Sequence, residues 1–181
     1  MKNKSPRINW LVVVILAVVV MAISASVYYY RVMSAADSDF SAHIVATYTL
    51  LSKEPLQASY LSHPLLQVVL AGISWSTRSH IDPFAGMIMV LVASQMMLAL
   101  ALYFWFGQIT RKGGDWVRAM LAGSMTVITP VLALVSVDHE YYYGYIDLAN
   151  YHSPTQLLLR PLALISFIFV CRVFEKPRNP A

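Results

Sequence analysis

Charged residues are scarce in this sequence. Only 12% of its 181 residues are Asp, Glu, Lys or Arg, whereas soluble proteins carry about 25%. Hydrophobic residues make up 58% of the chain, and its mean hydropathy is +0.59. This composition argues against a water-soluble fold, a disordered chain and a nucleic-acid-binding protein.

Cysteine is nearly absent as well. Cys171 is the single cysteine, so the chain cannot form an internal disulfide or a multi-cysteine metal site. The sequence also contains no nucleophile-elbow, zinc-helix, dinucleotide or Walker motif and no visible internal repeat. Soluble enzyme classes that depend on those motifs are therefore not indicated.

What the sequence has instead is a set of apolar blocks near 20 residues long, the length of a helix that crosses a bilayer. They predict an all-α integral membrane protein that forms a single membrane domain over 1–181, with about four transmembrane helices and a helical first extracytoplasmic loop. The predicted spans are about 8–27, 83–106, 117–137 and 155–174. The second and fourth begin with helix-start signals, Asp82-Pro83 and Ser153-Pro154.

The first block has two interpretations. Ser24, Ala25 and Ser26 would suit a signal peptidase, but the apolar stretch is longer than a usual signal core, which favours an uncleaved anchor. The tyrosines at 28–30 follow the block and are expected at the level of the lipid headgroups.

The basic residues are divided unequally between the two sides that four spans create. The side with both chain termini has nine basic and two acidic residues, a net charge of +7, and the other side has a net charge of −3. We call these sides the basic end and the acidic end. The nine basic residues are Lys2, Lys4, Arg7, Arg111, Lys112, Arg118, Arg172, Lys176 and Arg178. Because cytoplasmic loops are rich in Lys and Arg, this predicts a multi-pass membrane protein with both termini in the cytoplasm.

The two loops of the acidic end, about 31–82 and 138–153, contain all five histidines and seven of the nine acidic residues. Function is expected there, because proton transfer, metal binding and phosphate binding use these residue types. The sequence of the first loop predicts two helices. From 39 to 52 an apolar stripe has helical spacing: Phe40, Ile44, Tyr48 and Leu51. The apolar run 64–75 is too short to span and is expected to be re-entrant or interfacial.

Two histidines precede proline-initiated apolar helices on this side, in His63-Pro64 and His152-Ser153-Pro154. The unpaired N–H groups of a helix N-terminus attract anions, and a histidine adds a donor there. Two such ends that face one cavity would suit a phosphate or diphosphate, although each alone is also an ordinary helix start.

Arg160 lies about two turns into the fourth span and is followed by Pro161. A charged side chain costs at least about 2.5–3.5 kcal/mol at mid-bilayer and less near the surface. Two interpretations stay open. The side chain extends to the outer headgroups, or it faces inwards and binds a lipid-linked phosphate, which its planar guanidinium matches.

The order of these elements resembles the amino-terminal part of bacterial GT-C-type membrane glycosyltransferases. The resembling segments are Asp37-Ser38-Asp39-Phe40 with His43, then His63-Pro64-Leu65-Leu66, and then Tyr151-His152-Ser153-Pro154-Thr155 with Leu157-Leu158-Leu159-Arg160-Pro161. The resemblance implies a location in the bacterial inner membrane and transfer of a sugar from a polyprenyl-phosphate-linked donor on the extracytoplasmic face. It implies that Asp39 or Asp37 matches the catalytic acid position and Arg160 a phosphate-facing basic position. The histidines that join Arg160 as donor-binding candidates are His152, His63 and His43.

The family's shared core has about seven spans, and this sequence contains four. The expectation is a glycosyltransferase-like protein or its amino-terminal module. Three explanations of the smaller number of spans stay open: an amino-terminal fragment without its carboxy-terminal half, a reduced protein that needs a membrane-protein partner, or a protein that has lost the activity. The other expected partners are the lipid bilayer and the polyprenyl-phosphate-linked sugar. The alternatives are a non-catalytic four-helix scaffold or accessory subunit of an envelope-polysaccharide system, and a small transporter or metal-handling protein. The sequence indicates no definite cofactor, and the candidate is a divalent metal at the outer acidic and histidine residues. No nucleic-acid partner is expected.

Overall fold

The computed structural model describes residues 8–33, 38–52, 64–109, 114–135 and 154–175. These residues form six α-helices and contain no strand. The helices are α1 (Trp10–Met33), α2 (Ser38–Ser52), α3 (Pro64–Ser76), α4 (Pro83–Ile109), α5 (Asp115–Val135) and α6 (Pro154–Glu175). The predicted all-α fold class is confirmed.

Three of the helices contain stretches that are long and apolar enough to cross a membrane, namely Trp10–Tyr30, Pro83–Gly107 and Leu157–Phe174. They correspond to the first, second and fourth predicted spans, and the chain is an all-α membrane protein. Helix α5 takes the place of the third predicted span and begins two residues earlier than expected, at Asp115. The residues at 136–137, where that span was expected to end, lie outside the described residues.

The predicted helices of the first loop correspond to α2 and α3. Helices α3 and α4 form a helical hairpin through the turn at 77–82, in which Arg78 and Ser79 have positive φ values of 51° and 64°. Ser79 N donates to Ser74 O at 2.7 Å and closes α3. Ala85 N donates to Asp82 Oδ1 at 2.7 Å, so the predicted N-cap of α4 is confirmed.

The core consists of two main clusters, one toward each end of the bundle. Helices α1, α4 and α5 form the basic-end cluster, in which small residues let the backbones approach: Ala99, Ala119 and Ala122. A Cβ atom added at Gly123 would lie 3.2 Å from Leu16 Cδ1, which reflects this close approach of α1 and α5. The acidic-end cluster joins five helices through Tyr28, Phe40, Leu66, Leu70, Met87, Leu91 and Leu157.

Candidate functional site

The buried face of α2 differs from the predicted stripe. Phe40 is buried and Ile44 is half-buried, as expected, but Tyr48 is 48% exposed. The face that turns inwards continues through half-buried His43 and buried Thr47, one turn apart. Thr47 Oγ1 donates to His43 O at 2.8 Å, which satisfies the buried hydroxyl within the helix. Helix α2 therefore presents a polar as well as an apolar surface to α3.

A side-chain hydrogen bond joins α2 to α3 along this face. Gln67 Nε2 lies 2.8 Å from His43 Nδ1, and Gln67 is buried. Because an amide nitrogen can only donate, Nδ1 accepts, and a neutral His43 ring carries its proton on Nε2. His43, a predicted donor-binding residue, thus holds the two helices of the first loop together.

The acidic-end cluster brings the N-terminal turns of three helices to one place. Phe40 is the third residue of α2, Leu66 the third of α3 and Leu157 the fourth of α6, and all three are at most 1% exposed. Each follows a predicted site residue by one to five positions: Asp39, His63 and His152. Tyr28 of α1 and Leu91 of α4 complete the contact surface. Three helix starts that are remote in sequence therefore converge.

This convergence is recessed from the outermost part of α4. At 1.5 Å per residue, Leu91 lies about 12 Å and Ser94 about 16 Å along α4 from Pro83. Leu157 lies at the depth of Ser94, since Ser94 Oγ donates to Leu157 O at 2.6 Å. The hairpin of α3 and α4 therefore extends well beyond the N-terminal turn of α6.

The Ser94 hydrogen bond compensates for a proline. In an α-helix the carbonyl of residue 157 would accept from the N–H of residue 161, but Pro161 has no N–H. Ser94 donates to the carbonyl that this proline leaves free, and both Ser94 and Pro161 are buried. The pair fixes the first turns of α6 against α4.

Tyr28, the first residue of the tyrosine cluster, is buried inside the bundle. It is 0% exposed, and its hydroxyl accepts a hydrogen bond of 2.8 Å from Gln95 Nε2 on α4. Tyr29 and Tyr30 are 57% and 60% exposed. Burial of Tyr28 is favourable because Gln95 gives its hydroxyl a partner inside an apolar bundle.

Three buried side-chain oxygens of the described residues have no hydrogen-bond partner, namely Ser24 Oγ, Gln95 Oε1 and Thr155 Oγ1. A buried polar group without a partner costs about 1–3 kcal/mol. Thr155 is the second residue of α6, and the Pro154-Thr155 pair belongs to one of the segments that resemble the glycosyltransferase family. Its hydroxyl oxygen is fully enclosed by protein atoms.

Arg160 is half-buried and lies at the edge of the inward face of α6. It is one turn from buried Leu157 and one turn from Leu164, which packs against the basic-end cluster. The exposed residues Leu159 and Leu162 lie on other faces of the helix, whereas exposed Phe167, two turns further on, shares the face of Arg160. Arg160 therefore lies at the boundary between the inward and the exposed face of α6.

The remaining predicted site residues are only partly described. Asp39 lies in the first turn of α2, and nothing is described of its side chain. Asp37, His63 and His152 lie outside the described residues. Within the part of the chain that the structure covers, no three His, Cys, Asp or Glu side chains are placed to hold a metal ion.

The polar contacts of α4, Ser94 and Gln95, and the Gln67 partner of His43 were not identified from the sequence. Their signal was present, because a Ser or Gln inside an apolar helix needs a partner in the bundle. What the sequence did not supply was the partner's identity. Comparisons of the chain with protein-family models, with curated proteins and with solved structures gave no match.

Proposed function

We propose that this chain is a GT-C-like membrane glycosyltransferase, or the amino-terminal module of one, that handles a polyprenyl-phosphate-linked sugar at the acidic end. The observation that carries the proposal is the convergence of the N-terminal turns of α2, α3 and α6 on one buried cluster. One described residue from each of three segments on which the family resemblance rests belongs to this cluster, namely Phe40, Leu66 and Leu157.

Phosphate suits this place for electrostatic reasons. A helix N-terminus carries unpaired N–H groups and a partial positive charge, and the first turns of α2, α3 and α6 each contribute a residue to the acidic-end cluster. The half-buried Arg160 adds a permanent positive charge one turn beyond Leu157 on α6. Together they would hold the leaving phosphate as the sugar departs.

The base in this proposal is Asp39, with Asp37 as the second candidate. Asp39 directly precedes Phe40, which is buried in the acidic-end cluster, so its backbone lies beside the proposed phosphate site. A carboxylate there would take the proton of the acceptor hydroxyl while the sugar is transferred to it. The donor's polyprenyl phosphate leaves with the electron pair of the broken glycosidic bond.

Donor binding is tested with the full chain in lipid nanodiscs of zwitterionic lipid. We expect the protein to bind polyprenyl phosphate more tightly than the uncharged polyprenol. Arg160→Gln should weaken the binding of polyprenyl phosphate about five-fold and should leave the binding of polyprenol unchanged. A five-fold change corresponds to about 1 kcal/mol, the contribution of one basic residue. Arg78→Gln is the matched control, because Arg78 is an exposed arginine in the α3–α4 turn. Equal affinity of the wild type for both lipids would refute the proposal.

Catalysis is tested separately from binding. Membranes that contain the chain should release polyprenyl phosphate from a polyprenyl-phosphate sugar, with Asp39→Asn abolishing release while donor affinity stays within two-fold. Binding without turnover in the wild type, restored by a co-expressed membrane partner, would support the module form of the proposal. Turnover that Asp39→Asn and Asp37→Asn both leave intact would overturn the assignment of the base.

A further inference from the structure

A groove at the basic end lies apart from the proposed sugar-donor site. It has a volume of about 560 Å³ and lies between α4 and α6, with contributions from the starts of α1 and α5. Its walls are apolar and include Leu100, Ala101 and Phe104 of α4 and Ile165, Ile168 and Phe169 of α6. All six belong to the stretches that are apolar enough to cross a membrane.

The groove changes from apolar to charged along its length. Arg118, Arg172 and Asp115 line the part nearest the basic end. Arg118 is buried and its Nη1 lies 3.3 Å from Asp115 Oδ1, while Asp115 Oδ2 accepts from Asn9 N at 3.2 Å. The groove therefore has one carboxylate and two guanidinium groups in its lining, and the exposed Arg172 carries the second positive charge.

The dimensions fit an amphiphile better than a water-soluble anion. On α4 the lining extends from Met97 to Gly107, which is about 15 Å at 1.5 Å per residue. Both walls belong to stretches that are long and apolar enough to cross a membrane, where lipid chains would be present at high concentration. Its charged part is at the end where the chain carries nine basic and two acidic residues. An apolar channel that leads to positive charge matches an acyl chain that leads to a phosphate.

We propose that this groove binds one anionic phospholipid, with an acyl chain between α4 and α6 and its phosphate at Arg172 and Arg118. Asp115 keeps Arg118 in place and leaves a net positive charge for the headgroup. The inference does not depend on the sugar-donor site, which uses Arg160 at the opposite end of the same helix. It assigns a structural lipid to the least buried of the candidate spans.

Native mass spectrometry of the full chain in detergent tests the proposal, with phosphatidylglycerol and phosphatidylcholine of identical acyl chains as probes. One phosphatidylglycerol should bind, and phosphatidylcholine should bind at least five-fold more weakly. Arg172→Gln should weaken the binding of phosphatidylglycerol about five-fold, and Arg78→Gln, at the acidic end, should leave that binding unchanged. Because Arg172 is exposed, its substitution is not expected to impair folding.

A second variant tests the apolar part of the groove, where the acyl chain would lie. Ala101→Leu fills the groove and should weaken the binding of phosphatidylglycerol, whereas Ala93→Leu adds the same bulk at an exposed position of α4 and should not weaken it. Millimolar glycerol 3-phosphate should not compete with the lipid. Equal retention of the two lipids, equal effects of Arg172→Gln and Arg78→Gln, or displacement by glycerol 3-phosphate would each overturn the lipid assignment. Unchanged polyprenyl phosphate binding by Arg172→Gln separates this site from the sugar-donor site.

Discussion

The hydrogen bond from Ser94 to the carbonyl of Leu157 gives a prediction that depends on a proline. Ser94→Ala removes the donor that satisfies this carbonyl, while Pro161 continues to deny it the usual helical partner. Hydrogen bonds between membrane helices contribute about 0.6 kcal/mol on average and up to about 1.7 kcal/mol. Since the Ser94–Leu157 bond is short and buried, we expect Ser94→Ala to lower the free energy of unfolding by about 1 kcal/mol.

Replacing the proline should remove that cost. In Pro161→Ala the new N–H at position 161 can donate to Leu157 O within the helix, so the carbonyl no longer depends on Ser94. The cost of Ser94→Ala should then fall to about 0.3 kcal/mol or less. The two substitutions are coupled, and the double-mutant cycle subtracts any packing change that Pro161→Ala causes by itself.

The measurement is the free energy of unfolding of the full chain in mixed micelles, titrated with a denaturing detergent and followed by far-UV circular dichroism. Ser166→Ala, at an exposed serine of α6, is the matched control and should change stability by less than about 0.5 kcal/mol. An equal cost of Ser94→Ala with and without Pro161 would show that Ser94 does not compensate for the proline.

Four further predictions follow from single contacts. Tyr28→Phe should lower the free energy of unfolding by about 1 kcal/mol because Gln95 Nε2 loses its acceptor, and Tyr29→Phe should not; equal effects would exclude the hydrogen bond as the cause. Asp82→Ala should cost about 1 kcal/mol in the same assay, and Asp82→Asn only a few tenths, because Asn retains the capping oxygen; a similar loss for both would argue against the cap. Gly72→Ala should raise the free energy of unfolding by about 0.5–1 kcal/mol, since a Cβ there meets no atom within 4 Å, and a decrease would contradict the open space. In a Cys171→Ser background, Ser76→Cys should react with an impermeant maleimide in intact cells and Gly114→Cys only after permeabilisation; the reverse pattern would invert the predicted topology.

Element boundaries were predictable where the signals are local. Pro64 and the Asp82-Pro83 pair mark the starts of α3 and α4, and both helices begin at the predicted residue, whereas α1 and α4 extend six and three residues past their predicted ends. Long apolar blocks likewise predicted the three candidate spans. These signals act within one or two helical turns, so they do not depend on what the helix later contacts.

Side-chain placement inside the bundle was not predictable, because it depends on remote partners. Tyr28 is buried because Gln95, 67 residues away, supplies a donor. His43 takes the inward position that Tyr48 was expected to share because Gln67 of α3 meets it there. The sequence pattern predicts burial from the hydrophobicity of each residue alone. Two polar residues that hydrogen-bond to each other can be buried despite their polarity, so this pattern does not predict them.

The charge count predicted a basic end but not its groove. Counting Lys and Arg gives the sign of the charge on each side of the bundle. A groove depends on how closely two helices approach, and this is set by packing at their other ends. Ser94 fixes α6 against α4 near Leu157, but between Ala101 and Phe169 the two helices leave about 560 Å³ between them.

Helix α6 is therefore held in two different ways along its length. Only 11% of its apolar stretch is buried inside the protein, against 33% for α1 and 39% for α4. Near Leu157 it depends on protein contacts, the Ser94 hydrogen bond and the acidic-end cluster. Near Phe169 it borders the groove, where few protein atoms replace the surrounding lipid. A substitution near Leu157 should thus alter stability in any detergent, whereas the effect of one near Phe169 should depend on which lipids are present, because there the lipid supplies the packing.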